Sequence, residues 1–477
     1  MKKLYYFLIL LIFLILSGCF SSVPDKAYHK IICLDGNNCS DELDKIIKKK
    51  ENVFIGDRGF NACILDKDYK ENGDYLYKKN YCNEEKLKDK IKTPYYEAWL
   101  EYNTTGKHQD ENQLKAIVKW MNSSKKPLLV IIYIHGWHHN ADNSGNNPRN
   151  NAIKFPFLMA RSVDTIKRLE LENQIKEHNV LGIYVGWQGE KYTDFIPSTY
   201  SIGSRSEVAD RIGKEGILKK DLQKISLALN KRGGHMMVIG HSLGGRMLTS
   251  TFKSDLEKNT SFPLGENSLV VTINPAVDAG CYDNIFNKKS GFNPEVPRPY
   301  WINITSKDDF ATKTIYRKAR TCGLIKKCDK TSLDSKNTIG HYDKYINLNI
   351  DEANFDTNRN FREYRNYEMD WFLKLNRRVK MAFPSRNNNI NKEKIFYSLH
   401  FHLHENRPFK SKVRVWNVQT DESIIAFADS DTDSKGLIFK IRHFKDKISG
   451  YHNAYISTPL TRLLIELLFY DRKKLSS

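Results

Sequence analysis

The segment "MVIGHSLGGRM", Met237 to Met247, sets a serine between two glycines, each two residues away. A serine hydroxyl becomes a nucleophile only when one group takes its proton and another stabilises the oxyanion that its attack creates. Short glycine and serine patterns recur by chance, so Ser242 is either a nucleophile or a small residue in a glycine-rich turn, and its neighbours decide. Upstream lies "HMMVIG", an apolar run of strand length, and downstream a helical pattern runs from Gly245 to Leu256. A sharp strand-to-helix turn is what an exposed nucleophile requires, with Gly240 and Gly244 letting neighbouring backbone approach closely. The start of the helix brings unpaired N–H groups and a positive dipole end, so the Leu243 amide is placed to receive a developing oxyanion.

A second oxyanion donor should come from the loop after an earlier strand. "YIHGWHHNAD", Tyr133 to Asp142, leaves the apolar run "LLVIIYI" and supplies it. Gly136 permits the close turn, and the Trp137 amide is the candidate donor. His135, His138 and His139 invite a metal reading, but no carboxylate motif accompanies them, and no metal is expected.

These motifs need a scaffold, and the chain has one. Five near-continuous apolar runs, Leu128 to Ile134, Val180 to Trp187, His235 to Gly240, Leu269 to Asn274 and Tyr300 to Thr305, alternate with helical segments. Among these are Glu207 to Asn230, Gly245 to Leu256 and a last helix from Pro459 to Phe469. Strands apolar on both faces belong to a mostly parallel sheet covered by helices on both sides, which is an α/β architecture. With 477 residues, 40% hydrophobic and 28% charged, the chain can bury a large core. The net charge of +20 favours anionic surfaces, yet the lysines are spread along the chain and no nucleic-acid motif is present.

With "HGW" in one loop and "GHSLGG" in the other, the chain resembles the α/β-hydrolase superfamily of serine lipases and esterases from about residue 95 to 470. The resemblance implies the order nucleophile, acid, histidine along the chain. "YWINITSKDDFAT", Tyr300 to Thr312, ends a strand and offers Asp308 and Asp309. Asp309 is preferred because the family often carries a small residue three positions before its acid, where Ser306 stands. The histidine is expected between the last strand, Lys412 to Gln419, and the last helix. That selects His452, with His341 in "TIGHYDKY" as the alternative. By this resemblance His452 takes the Ser242 proton, the Trp137 and Leu243 amides hold the oxyanion, Asp309 orients the imidazole, and water hydrolyses the acyl-enzyme without a cofactor. The separation between Asp309 and His452 leaves a long insertion, about residues 313–410, before the last strand, and residues 191–213 offer a further cap element.

The amino terminus carries a different message. "MKK" is followed by thirteen apolar residues, Leu4 to Leu16, and then "SGC". That is short for a transmembrane helix and suits a signal peptide. Small residues before a cysteine resemble the bacterial lipobox, which implies cleavage after residue 18 and acylation of Cys19. The mature protein is then expected to be exported and lipid-anchored, in the outer membrane if the cell is Gram-negative. Residues 19–94 read as a tether and small subdomain, and 95–477 as the hydrolase domain. Export permits disulfides. Cys33 with Cys39, Cys322 with Cys328 and Cys63 with Cys82 are the local pairs, which leaves Cys281 as a thiol.

Two further patterns favour bland readings. His400, His402 and His404 alternate with apolar residues as on an amphipathic strand. The acidic run from Asp429 to Lys440 lacks the glycine and glutamate of a calcium loop. The sequence therefore points to a membrane-anchored serine hydrolase acting on an acyl ester or lipid. An acyltransferase and a non-catalytic binding or scaffold protein on the same fold are the alternatives.

Overall fold

The computed structural model describes residues 22–29, 56–60, 68–69, 75–76, 93–142, 150–171, 175–192, 201–214, 217–231, 233–258, 262–286, 299–327, 336–346, 348–352, 401–405, 414–420 and 458–469. Cys19, His400, the 429–440 loop and His452 lie outside the described residues.

Ten strands form one sheet: β1 (Gly56–Phe60), β2 (Thr93–Tyr102), β3 (Leu128–Ile134), β4 (Asn179–Trp187), β5 (His235–His241), β6 (Ser268–Ile273), β7 (Trp301–Ser306), β8 (Leu348–Glu352), β9 (Phe401–Glu405) and β10 (Val415–Thr420). Their order across the sheet is β1-β2-β4-β3-β5-β6-β7-β10-β8-β9. Every pair from β2 to β8 is parallel, and only the two outermost strands run antiparallel to their neighbours. Every residue of β3, β6 and β7 is buried, as runs without alternating polarity require when both faces are covered.

Helices supply the cover. α1 (Asn112–Ser123), α3 (Ile202–Lys214), α4 (Ile217–Asn230) and α5 (Leu243–Lys258) pack together on one face. α2 (Asn151–Leu171) and the last helix, α7 (Thr458–Phe469), pack together on the other. A short helix, α6 (Tyr316–Thr321), follows β7. The chain is thus an α/β protein with a mostly parallel sheet flanked by helices.

Several details differ from the sequence expectation. The single helix expected from Glu207 to Asn230 is two helices, α3 and α4. About half of the expected cap element, residues 202–213, belongs to α3, which lies along α5. Gly213 is what permits that approach, since a Cβ there would fall 2.5 Å from the Met247 carbonyl. The buried Arg246 of α5 meets Asp210 of α3 through two hydrogen bonds of 3.0 and 2.7 Å. The insertion also adds to the sheet, because β8 and β9 extend it beyond β10. Finally, Cys281 is disulfide-bonded while Cys322, exposed at the end of α6, is a free thiol. The expected Cys322 with Cys328 pair is therefore corrected. Nearness in sequence does not bring two Cβ atoms to the roughly 4 Å that a disulfide needs.

Candidate active site

Ser242 stands at the tip of the turn between β5 and α5 with φ of 54°, one of three non-glycine residues at positive φ among those described. A left-handed backbone at a residue with a Cβ costs about 1–3 kcal/mol and persists where surrounding contacts enforce it. They do so here. The Ser242 amide donates to the Ile273 carbonyl at the end of β6 (3.0 Å), and its own carbonyl accepts from the Ala276 and Arg246 amides, both at 3.1 Å. Gly244 lets the start of α5 rest on β3, because a Cβ there would sit 2.3 Å from the Ile134 carbonyl oxygen. Gly240 faces Gly244 across the turn at a similarly short distance. Leu243 is the first residue of α5, so its amide has no intrahelical acceptor.

The loop after β3 lies directly over this turn. A Cβ on Gly136 would come within 2.8 Å of the Ser242 Cβ, so only glycine fits between loop and serine. His135 holds the loop in place. Its Nδ1 lies 2.8 Å from the Gly136 carbonyl, and its Nε2 accepts from the Trp187 amide at 3.1 Å. The Nε2 acceptor role fixes the neutral tautomer that donates from Nδ1. Burial lowers the pKa of His135 to about 4. Both ring nitrogens are therefore occupied by the backbone, and the ring stacks on Trp187 at 5.4 Å. This is a structural histidine rather than a metal ligand. The His138 amide donates to the Gly189 carbonyl and the Trp137 indole to Ser201, so the loop is tied down on both sides of the Trp137 amide.

Asp309, the candidate acid, follows the end of β7. Asp309 is fully buried while Asp308 is exposed. The Ser306 carbonyl accepts from the Asp309 amide at 3.2 Å, closing the tight turn that the small residue at 306 allows. The Ala311 amide donates to Asp309 Oδ1 at 3.1 Å, and the Thr312 hydroxyl donates to Oδ2. That same hydroxyl lies 3.1 Å from Nε2 of His341. Burial pulls the His341 pKa below the ordinary imidazole value, and the Asp309 carboxylate and a hydrogen bond to its backbone oppose that shift. Asp309 and His341 thus share one cluster at the carboxyl end of the sheet.

His341 reaches this position through the 336–346 loop. The Ile339 amide donates to Val277, one residue beyond the Ala276 that bonds Ser242. Gly340 presses on Thr305 of β7 so closely that a Cβ would overlap its side chain. From β10, the buried Asn417 donates to the carbonyls of Ile339 and Tyr345, both at 3.0 Å, and Gln419 to that of Gly340 at 3.1 Å. Thr312, Gly340, Asn417 and Gln419 are the supporting residues that motif reading missed. The available signal was the polar pair interrupting the apolar strand "VWNVQT".

The fold and site define an α/β protein with a serine on a strained strand-to-helix elbow beneath a glycine-bearing loop. No family model and no curated protein matches the chain. A solved structure, that of the phospholipase PlaB from Legionella pneumophila in complex with thio-NAD, is similar at a TM-score of 0.19 and 14% identity. The match covers 49% of this chain and 47% of that one, about half the length of the phospholipase. A likeness of that size leaves the fold assignment on the sheet order and the elbow themselves.

Proposed function

We propose that this protein is an exported serine hydrolase, anchored through an acylated Cys19, that cleaves carboxylic esters by way of an acyl-enzyme on Ser242. The observation that carries the reading is the left-handed Ser242 under Gly136, at the start of the helix whose first residue is Leu243. A merely structural turn has no use for that strain, and glycine in place of serine would relieve it.

In this mechanism a neutral histidine takes the Ser242 proton as Oγ attacks the ester carbonyl. The Leu243 and Trp137 amides hold the oxyanion, each worth about 3 kcal/mol to the transition state. The imidazolium then protonates the leaving alcohol, and water repeats the sequence in reverse to free the acid. Asp309 orients the base and stabilises its cation. His341 is favoured as the base by its place in the Asp309 cluster and by the backbone path from Ser242 through Ala276 and Val277 to Ile339. His452 remains the candidate that chain order alone selects.

The test is turnover of a soluble short-chain ester by a fragment lacking residues 1 to 19. The wild type should release acid and alcohol in equal amounts, and Ser242→Ala should lose activity roughly 10⁴-fold or more while remaining folded. Equal rates for the two proteins would end the proposal.

A further inference from the structure

The first described residues, 22–29, do not hang free of the domain. Ser22 forms an antiparallel bridge with Tyr192, the Val23 amide donates to the Lys191 carbonyl at 2.9 Å, and Gln188 donates back to the Val23 carbonyl. Asp25 accepts from the Thr104 amide, the Thr104 hydroxyl and Gln109 at 2.9, 2.7 and 2.6 Å. At the far end, the buried Glu101 carboxylate of β2 receives the Tyr28 and His29 amides, each at 2.8 Å. The His29 ring stacks on Trp99 at 3.8 Å, and its Nε2 lies 2.9 Å from the Ala141 carbonyl. A buried carboxyl group that accepts two consecutive amides is a fixed latch, since parting them leaves buried backbone N–H groups and a buried acceptor unsatisfied.

The place of the latch matters. The segment that binds Ser22 and Val23, Gln188 to Tyr192, is the same one that supports the oxyanion loop. Gly189 accepts from the His138 amide, and a Cβ on Gly189 would meet the Gly136 carbonyl at 2.6 Å. One layer of backbone therefore separates the start of this strap from the loop over Ser242. Cys19 stands three residues before Ser22, a span of about 10 Å at full extension. A domain of this size has a radius of gyration of roughly 20 Å, so so short a leash cannot let it roll over.

We propose that residues 22–29 are an orienting strap that holds the lipid anchor beside the oxyanion loop, so that the catalytic mouth faces the anchoring leaflet and takes its acyl ester from that leaflet's lipids. This rests on the hydrolase reading above and on acylation of Cys19. The net charge of +20 acts in the same sense by drawing the domain onto an anionic leaflet.

The test uses the full-length acylated protein in phosphatidylglycerol and phosphatidylethanolamine vesicles that carry a fluorogenic phospholipid. It is compared with a variant bearing thirty Gly and Ser residues after Ser21, a linker of about 30 Å. Acylation of both is confirmed by mass spectrometry. The insertion should lower hydrolysis of the vesicle lipid at least five-fold and leave turnover of a soluble short-chain ester unchanged. Hydrogen exchange gives a readout that needs no turnover: residues 135–142 and 186–192 should gain protection on vesicles in the wild type and lose that gain in the variant. Wild-type rates on vesicle lipid together with equal protection in both proteins would overturn the strap. Protection that depends on the short leash, with no turnover of either substrate, would instead sink the hydrolase reading and with it the lipid substrate, while the orientation stands.

Discussion

The two halves of the site are built in different ways. The half that holds Ser242 and the proposed oxyanion donors comes from two adjacent strands, β3 and β5, each followed at once by its loop. Its fit depends on absent atoms: Gly136, Gly240 and Gly244 leave no room for a Cβ. The half that holds Asp309 and His341, the proposed acid and base, is assembled from β7, the 336–346 loop and β10, joined by side-chain hydrogen bonds from Thr312, Asn417 and Gln419. One half is fixed by steric exclusion and the other by polar anchors. Changes to the first should act as breaks and changes to the second as adjustments, the base itself excepted.

The largest effect that tests this comparison is loss of the base. His341→Ala should cut kcat roughly 10⁴-fold, and His452→Ala should leave it within a few-fold; steady-state kinetics on folded protein reads both. The reverse result would move the acid and base half away from the 336–346 loop.

Next comes Gly136→Ala, whose Cβ must displace Ser242 or the loop. A drop in kcat of about 10²-fold, the loss of one oxyanion donor, is expected with KM little changed. Asn417→Ala removes two hydrogen bonds to the loop that carries His341. It should lower kcat about ten-fold and stability by about 1–3 kcal/mol, read by kinetics and by denaturant titration.

The smallest effects on activity are in the pH profile. The base must be neutral to act, and burial holds the His341 pKa below the ordinary value of about 6.5. The acid limb of kcat/KM should therefore fall with a midpoint below 6.5. Asp309→Asn removes the charge that stabilises the imidazolium and should shift that midpoint lower still. His135 contributes to stability in the same region. Its pKa is about 4 folded and about 6.5 unfolded, so the unfolded chain binds the extra proton as pH falls through that window. Stability should decline by up to about 3 kcal/mol between pH 6.5 and 4 and level off below, a decline that thermal unfolding across pH can follow.

The same contrast explains what could be read from the sequence. The core strands were legible because five apolar runs of strand length admit few other arrangements, and β3 matches its run end to end. The elbow and its loop were legible because a chemical requirement and a steric one fall on neighbouring residues. Asp309 was favoured over Asp308 on the spacing to Ser306, and of the two it is the buried one. The cluster around His341 was not legible, since its parts are far apart in the chain and no periodicity links Asn417 to Ile339. β2 was missed for a related reason. "TPYYEAWLEY" carries glutamates at positions that become buried, and only the strap that satisfies Glu101 explains one of them.

The central claim is that Ser242 is a nucleophile activated by the Asp309 and His341 cluster. The most direct measurement is the rate at which a fluorophosphonate probe labels the wild type, Ser242→Ala, His341→Ala and His452→Ala, with the modified residue located by mass spectrometry. The account predicts rapid labelling at Ser242 in the wild type and in His452→Ala, none in Ser242→Ala, and a rate reduced at least a hundred-fold in His341→Ala. Undiminished labelling of Ser242 in His341→Ala, or no labelling of the folded wild type, would contradict it.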